Sequence, residues 1–158
     1  MKFSFFLATF SISILLLLPA CASQAQTAAE HYIDGLAFIE EGHYRQAIEE
    51  FDQVIELYPN DPAAFFKRGF SHSELGQHQL AIMDYDKAIE LDPKDAVAYS
   101  NRGTSYDELG LYQRAIHDHD KAIELDPKNA ISYSNRGFSY DVLGQNQRAM
   151  QDYNKAID

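Results

Sequence analysis

The hexapeptide AIELDP stands at residues 88–93 and again at 122–127, and its variant VIELYP stands at 54–59, each copy 34 residues from the next. A fixed offset of this size marks a repeat array, and it has to be recognised before any helix or strand is assigned. Aligned on the offset, the chain divides into units 28–61, 62–95, 96–129 and a shorter 130–158. The third and fourth units agree at 18 of their 29 shared positions, which makes duplication the simplest origin.

Each unit predicts two helices. In the third, Ala98, Tyr99, Arg102, Gly103, Tyr106 and Leu109 trace one face at helical spacing, and Gly110 supplies a left-handed stop. A second run, Tyr112 to Leu125, turns Ala115, Ile116, His119, Ala122 and Ile123 inward and is closed by Asp126-Pro127. The glycine stop recurs at Gly42, Gly76 and Gly144, and the proline stop at Pro59 and Pro93. Inside the first helices sit Gly35, Gly69, Gly103 and Gly137, and inside the second Ala47, Ala81, Ala115 and Ala149. A mid-helix glycine costs about 0.5–1 kcal/mol relative to alanine, so close approach of the two helices must offset it.

Together these positions resemble the tetratricopeptide repeat family. The matching residues are an aromatic at Phe65, Tyr99 and Tyr133, the glycines, an aromatic or histidine at His72, Tyr106 and Tyr140, the alanines, an aromatic at Phe51, Tyr85 and Tyr153, a second alanine at Ala88, Ala122 and Ala156, and the closing prolines. The resemblance covers residues 28–158 and implies an all-α, right-handed superhelical solenoid of antiparallel helix pairs, with four repeats, the last incomplete. It implies little about task, because such repeats serve many.

The chain departs from the family pattern in places. His31 and His119 stand where an aromatic is usual, and Arg68, Arg102 and Arg136 precede the glycine where an aliphatic residue is usual, with Asp34 there in the first repeat. Acids recur at Glu50, Asp84, Asp118 and Asp152. Pairing each arginine with the acid of the repeat before it (Arg68 with Glu50, Arg102 with Asp84, Arg136 with Asp118) uses all three and explains why the first repeat has none. Pairing within repeats, Arg68 with Asp84, would leave Asp34 facing Glu50 unfavourably in the first repeat, so the inter-repeat scheme is the expectation. The last unit stops inside its second helix, without the polar capping helix that usually ends such a stack. The readings are a truncated paralogue without an independent role, or a face that meets a partner or a second copy.

Ahead of the repeats, residues 1–18 read MKFSFFLATFSISILLLL, the layout of a secretory signal, here assigned to 1–22 with a short linker at 23–27. Leu18-Pro19-Ala20-Cys21 resembles a bacterial lipoprotein box, with Pro19 the misfit; lipidation at Cys21 would anchor the chain. Ala20-Cys21-Ala22 fits the A-x-A cleavage rule, with Pro19 breaking the apolar helix upstream. The chain is therefore expected to be exported, periplasmic or secreted, with the membrane-anchored lipoprotein as the alternative. Cys21 is the only cysteine, so the exported part holds no internal disulfide.

The first 22 residues carry one base and no acid, leaving 24 acids against 12 bases in the remainder. Such a surface repels phosphate backbones and anionic headgroups, which argues against nucleic acid and against any membrane contact beyond a lipid anchor. It favours neutral or basic protein partners. No catalytic, metal or cofactor site is expected. His117 and His119 lie two apart on a helix, on opposite faces, and no serine has a histidine repeating beside it.

The resemblance implies that the first helices line a concave groove holding a peptide or helix. Carried over by position, its floor comprises Lys67, Asn101 and Asn135; Phe70, Thr104 and Phe138; and Asp107 and Asp141. Stacked asparagines can donate to and accept from a ligand's main chain. Family members that grip a C-terminal carboxylate use a lysine and an asparagine where this chain has Tyr32 and Leu36, so that mode is not expected. The sequence therefore reads as a non-enzymatic interaction scaffold, alternatively an envelope lipoprotein acting as an assembly factor. Mass spectrometry of the mature N-terminus is expected to show Ser23 first; a diacylated Cys21 would overturn that reading.

Overall fold

The computed structural model describes residues 27–157, so the leader, Cys21 and Asp158 lie outside the described residues. The described chain is helical throughout, with no strand among those residues: α1 over 27–40, α2 Tyr44–Leu57, α3 Pro62–Glu74, α4 His78–Leu91, α5 Ala96–Glu108, α6 Tyr112–Leu125, α7 Ala130–Val142 and α8 Asn146–Ile157. The first helices of three repeats begin at a side-chain cap. Asp61 accepts from the Ala63 N–H, Asp95 from Val97 and Ala98, and Asn129 from Ser132. Each cap satisfies a backbone donor that the first turn leaves open. Between the two helices of a pair the chain reverses through Gly42, Gly76, Gly110 and Gly144, all at φ between 71° and 75°. Only a residue lacking Cβ takes that conformation at little cost.

Within a pair, the buried glycine of the first helix lies under a ring from the second. A Cβ built on Gly103 would stand 2.6 Å from His119 Cε1, and one on Gly35 2.8 Å from Phe51 Cζ. The second-helix alanines Ala47, Ala81, Ala115 and Ala149 are buried in the same seam. Glycine is needed here because the ring fills the space a side chain would take.

Successive pairs stack through α2 on α3, α4 on α5 and α6 on α7. First helices of neighbouring repeats also touch, α3 with α5 and α5 with α7, whereas the second helices α2, α4, α6 and α8 do not touch one another. The stack therefore curves with its first helices on the inside.

The arginines correct the expected pairing. Arg102 donates from Nε and Nη2 to both oxygens of Asp118, in its own repeat, at 2.7 Å each. Its Nη1 reaches back to the preceding repeat, to Asp86 at 2.6 Å rather than to Asp84. The pattern repeats with Arg68 on Asp84 and Asp52, and Arg136 on Asp152 and Asp120. Helical geometry is the reason: at roughly 100° per residue, acids two apart point in nearly opposite directions, one into its own pair and one toward the next repeat. The stem of each arginine is fixed by the aromatic three residues before it, with guanidinium carbons 5.5, 5.4 and 5.5 Å from the ring centres of Phe65, Tyr99 and Tyr133. In the first repeat His31 takes the arginine's part, its Nδ1 lying 2.6 Å from Glu50 Oε2. Arg68 and Arg136 have pKa values raised above the ordinary guanidinium value, first by their hydrogen bonds to Asp84 and Asp152.

The two acids each arginine holds differ in burial. The Asp118 side chain is 2% exposed and that of Asp86 53%. Removing one partner of a buried pair costs about 3–5 kcal/mol, whereas an exposed pair contributes below about 1 kcal/mol. Asp118→Ala is therefore expected to destabilise the stack by about 3–5 kcal/mol in urea unfolding, and Asp86→Ala by less than about 1 kcal/mol. Equal losses would mean that burial does not set the hierarchy.

Candidate functional site

The inner face is built from four rows, each taking one residue from α1, α3, α5 and α7 at the 34-residue register. Nearest the helix starts run Ala29, Ala63, Val97 and Ile131, all exposed. Next come Ile33, Lys67, Asn101 and Asn135, then Leu36, Phe70, Thr104 and Phe138. Glu40, Glu74, Glu108 and Val142 form the far rim, again all exposed. Residues at i, i+4, i+7 and i+11 share one side of a helix, so each helix contributes a single stripe.

Three residues of α7 stand out: Ile131 is 68% exposed, Phe138 49% and Val142 47%. Apolar side chains left in water on one stripe of one helix, on either side of Asn135, make a surface of the kind partners cover. Ile33 and Val97 extend it toward the N-terminal repeats, where Ala28, Ala29, Tyr32, Ile33, Val54 and Tyr58 help line a pocket of about 430 Å³.

The polar residues are differently committed. Lys67 is half-buried, its Nζ 5.7 Å from the Phe66 ring centre, and the Phe70 ring stands edge-on to Tyr44 at 6.3 Å. Asn135 donates from Nδ2 to Thr104 Oγ1 at 3.1 Å, and Thr104 donates on to the Ser100 carbonyl. Asn101 is half-buried and its side chain makes no hydrogen bond within the described chain. Burial, then the negative charge of Glu74, raise the pKa of the Tyr44 phenol.

The two aspartates part company. Asp141 is exposed, but Asp107 is buried and both its oxygens are taken. Ser139 Oγ donates to Oδ1 at 2.6 Å, and His119 Nε2 lies 3.1 Å from Oδ2. Asp107 thus joins α5 to both α6 and α7 beneath the groove surface.

The linked trio of serine, aspartate and histidine does not form a nucleophile. The carboxylate sits between hydroxyl and imidazole, so the imidazole is not placed to take the serine proton, and Ser139 and His119 are wholly buried. The other ring nitrogen of His119, Nδ1, is buried without a partner among the described residues. His117, by contrast, has a side chain 82% exposed and points away from His119. Among the described residues no group of three metal-ligating side chains comes together.

With this geometry in place, comparisons with known proteins fix the family. Models described as tetratricopeptide repeat match residues 96–129 and 120–151, and one described as TPR repeat matches 35–76 and 72–110. The chain belongs to the tetratricopeptide repeat family. Among solved structures it is similar to MamA, residues 41 to the end, from Desulfovibrio magneticus RS-1, with 27% identity and a TM-score of 0.78 over 82% of this chain and 73% of that one. It is also similar to YrrB, described as a TPR protein with an unusual peptide-binding site, at 24% identity and a TM-score of 0.75 over 92% and 79% of the two chains. The first TPR of Spaghetti (RPAP3), bound to an HSP90 peptide SRMEEVD, aligns at 24% identity and a TM-score of 0.73, over 75% of this chain and 94% of that one. No curated protein matches the sequence. The all-α solenoid implied by the repeat pattern is the fold these neighbours share.

The sequence signal for the acidic rim and the Ala29–Ile131 row lay in the 34-residue register itself, four residues to either side of the expected floor. Aligning charge, and not only apolar and small residues, brings it out. Asp107→Ala removes the hydrogen-bond partner that a buried histidine has among the described residues and is expected to cost about 1–3 kcal/mol in urea unfolding. Asp141→Ala, at an exposed position, should stay within about 0.5 kcal/mol.

Proposed function

We propose that the chain is an exported protein–protein interaction scaffold that holds a peptide or helix of a partner against the inner face of its first helices and carries out no chemistry. The observation that carries this reading is the exposed apolar stripe of Ile131, Phe138 and Val142 beside Asn135, on the inside of the curve. Family members that bind peptides support it, YrrB among the structural neighbours. Export rests on the leader alone, with a lipid anchor at Cys21 as the alternative route to the same envelope.

The partner is neutral or basic on this reading. The SRMEEVD peptide of the Spaghetti complex is acidic, whereas the inner face here carries Glu40, Glu74 and Glu108 against Lys67. A second contact surface is favoured by α8, where Met150 and Ile157 are 65% and 84% exposed; a second copy of the chain is the occupant proposed there.

Site-specific photocrosslinking tests both surfaces in one experiment. A crosslinker at Phe138 is expected to capture a protein partner in envelope extract that the same group at His117, on the outer surface, does not. At Ile157 it is expected to yield a species of twice the chain mass. Equal capture from Phe138 and His117 would sink the groove reading.

A further inference from the structure

The groove's rows differ enough to specify the class of ligand, an inference that rests on the reading of this face as the binding surface. Two apolar rows, Ala29–Ala63–Val97–Ile131 and Leu36–Phe70–Thr104–Phe138, flank the polar middle row of Lys67, Asn101 and Asn135. Beyond them Glu40, Glu74 and Glu108 project one exposed carboxylate from each of the first three repeats. The arginines of the same helices do not neutralise this rim, because each is occupied by two aspartates. Lys67, beside the Phe66 ring, is the only other base on α1, α3, α5 and α7 over the described residues. Asp141 adds a further exposed acid on α7.

We propose that the groove takes an extended basic segment of a partner protein, with a cationic side chain every third residue facing Glu40, Glu74 and Glu108, and apolar side chains between them on the rows nearer the helix starts. The period follows from two lengths. Packed helices stand about 8–10 Å apart, and an extended chain advances about 3.1–3.3 Å per residue, so roughly three residues cross each repeat. A helical ligand advances about 1.5 Å per residue and would need its charges roughly five to seven residues apart.

The middle row decides between the two. A helix satisfies its own backbone groups, whereas an extended segment brings unpaired N–H and C=O groups that need partners. Asn101 has both ends of its amide free of protein hydrogen bonds, and Asn135 keeps its carbonyl oxygen and one N–H after serving Thr104. Amides stacked between two apolar rows suit main chain lying along the groove in the polyproline-type extended form, whose three residues per turn return every third side chain to the same flank.

The test uses fluorescence anisotropy of labelled nonapeptides with the purified chain: Lys-Ser-Leu three times over, its Glu-Ser-Leu counterpart, and a shuffled peptide, Leu-Leu-Leu-Ser-Ser-Ser-Lys-Lys-Lys. The Lys-Ser-Leu peptide is expected to bind at least fivefold more tightly than either of the others, and its binding should weaken as salt is raised. Glu74→Gln with Glu108→Gln, both at exposed positions, should reduce that affinity at least fivefold and flatten the salt dependence, with the helical circular dichroism unchanged. Equal binding of the shuffled peptide, preference for the glutamate peptide, or indifference to the double variant would overturn the proposal. So would failure of all three peptides while Phe138 still crosslinks a partner, which leaves the groove reading standing. Failure of the crosslink as well would remove both.

Discussion

Three guanidinium groups set the spacing of this stack. Each arginine leaves a first helix, crosses the ring of the aromatic one turn before it, and grips two carboxylates, one in its own repeat and one in the repeat before. A rigid planar fork cannot serve both acids unless three helices hold fixed positions, so the side chain acts as a gauge as well as a contact. The glycines below the rings belong to the same constraint. They let second-helix rings lie flush against the first helix, and this brings the acid of the pair within reach of the fork.

Curvature follows from this arrangement and gives the inner face its character. With first helices touching along the inside, residues four apart on them fall into parallel rows, and the 34-residue period lines up like positions from repeat to repeat. The stack therefore presents chemistry in stripes. Repeats two to four place a polar residue in the middle stripe and repeats one to three an acid at the rim, so these features extend over several repeats, while exposed apolar residues stand at Ile33, at Val97 and three times on α7.

The fold was legible in the sequence because its determinants are local and repeated. AIELDP, the glycine stops and the seam alanines each report a backbone or packing need that any helix pair of this kind shares. The arginine pairing was misread: the preceding repeat's Asp84 was expected, whereas Arg102 takes both oxygens of Asp118 in its own repeat and reaches back only to Asp86, because rotation along α4 and α6 decides which acids face it. Asp107 was placed on the groove floor from its position. Its burial depends on His119 from the next helix and Ser139 from the next repeat, contacts that spacing alone does not reveal.

The joints between repeats are not made of the same material. Around the first, Phe51, Val54 and Ala64 form an apolar cluster with Tyr32, Leu36 and Ile39 packed on it. At the last, Ser132 meets Ser100, Asn135 meets Thr104 and Ser139 meets Asp107, in addition to the arginine bridge. Apolar attraction fades as water is cooled, and hydrogen-bonded contacts do not follow that course. The stack is thus a chain of couplings with different thermal signatures, in which cold loosens the N-terminal joint ahead of the C-terminal one.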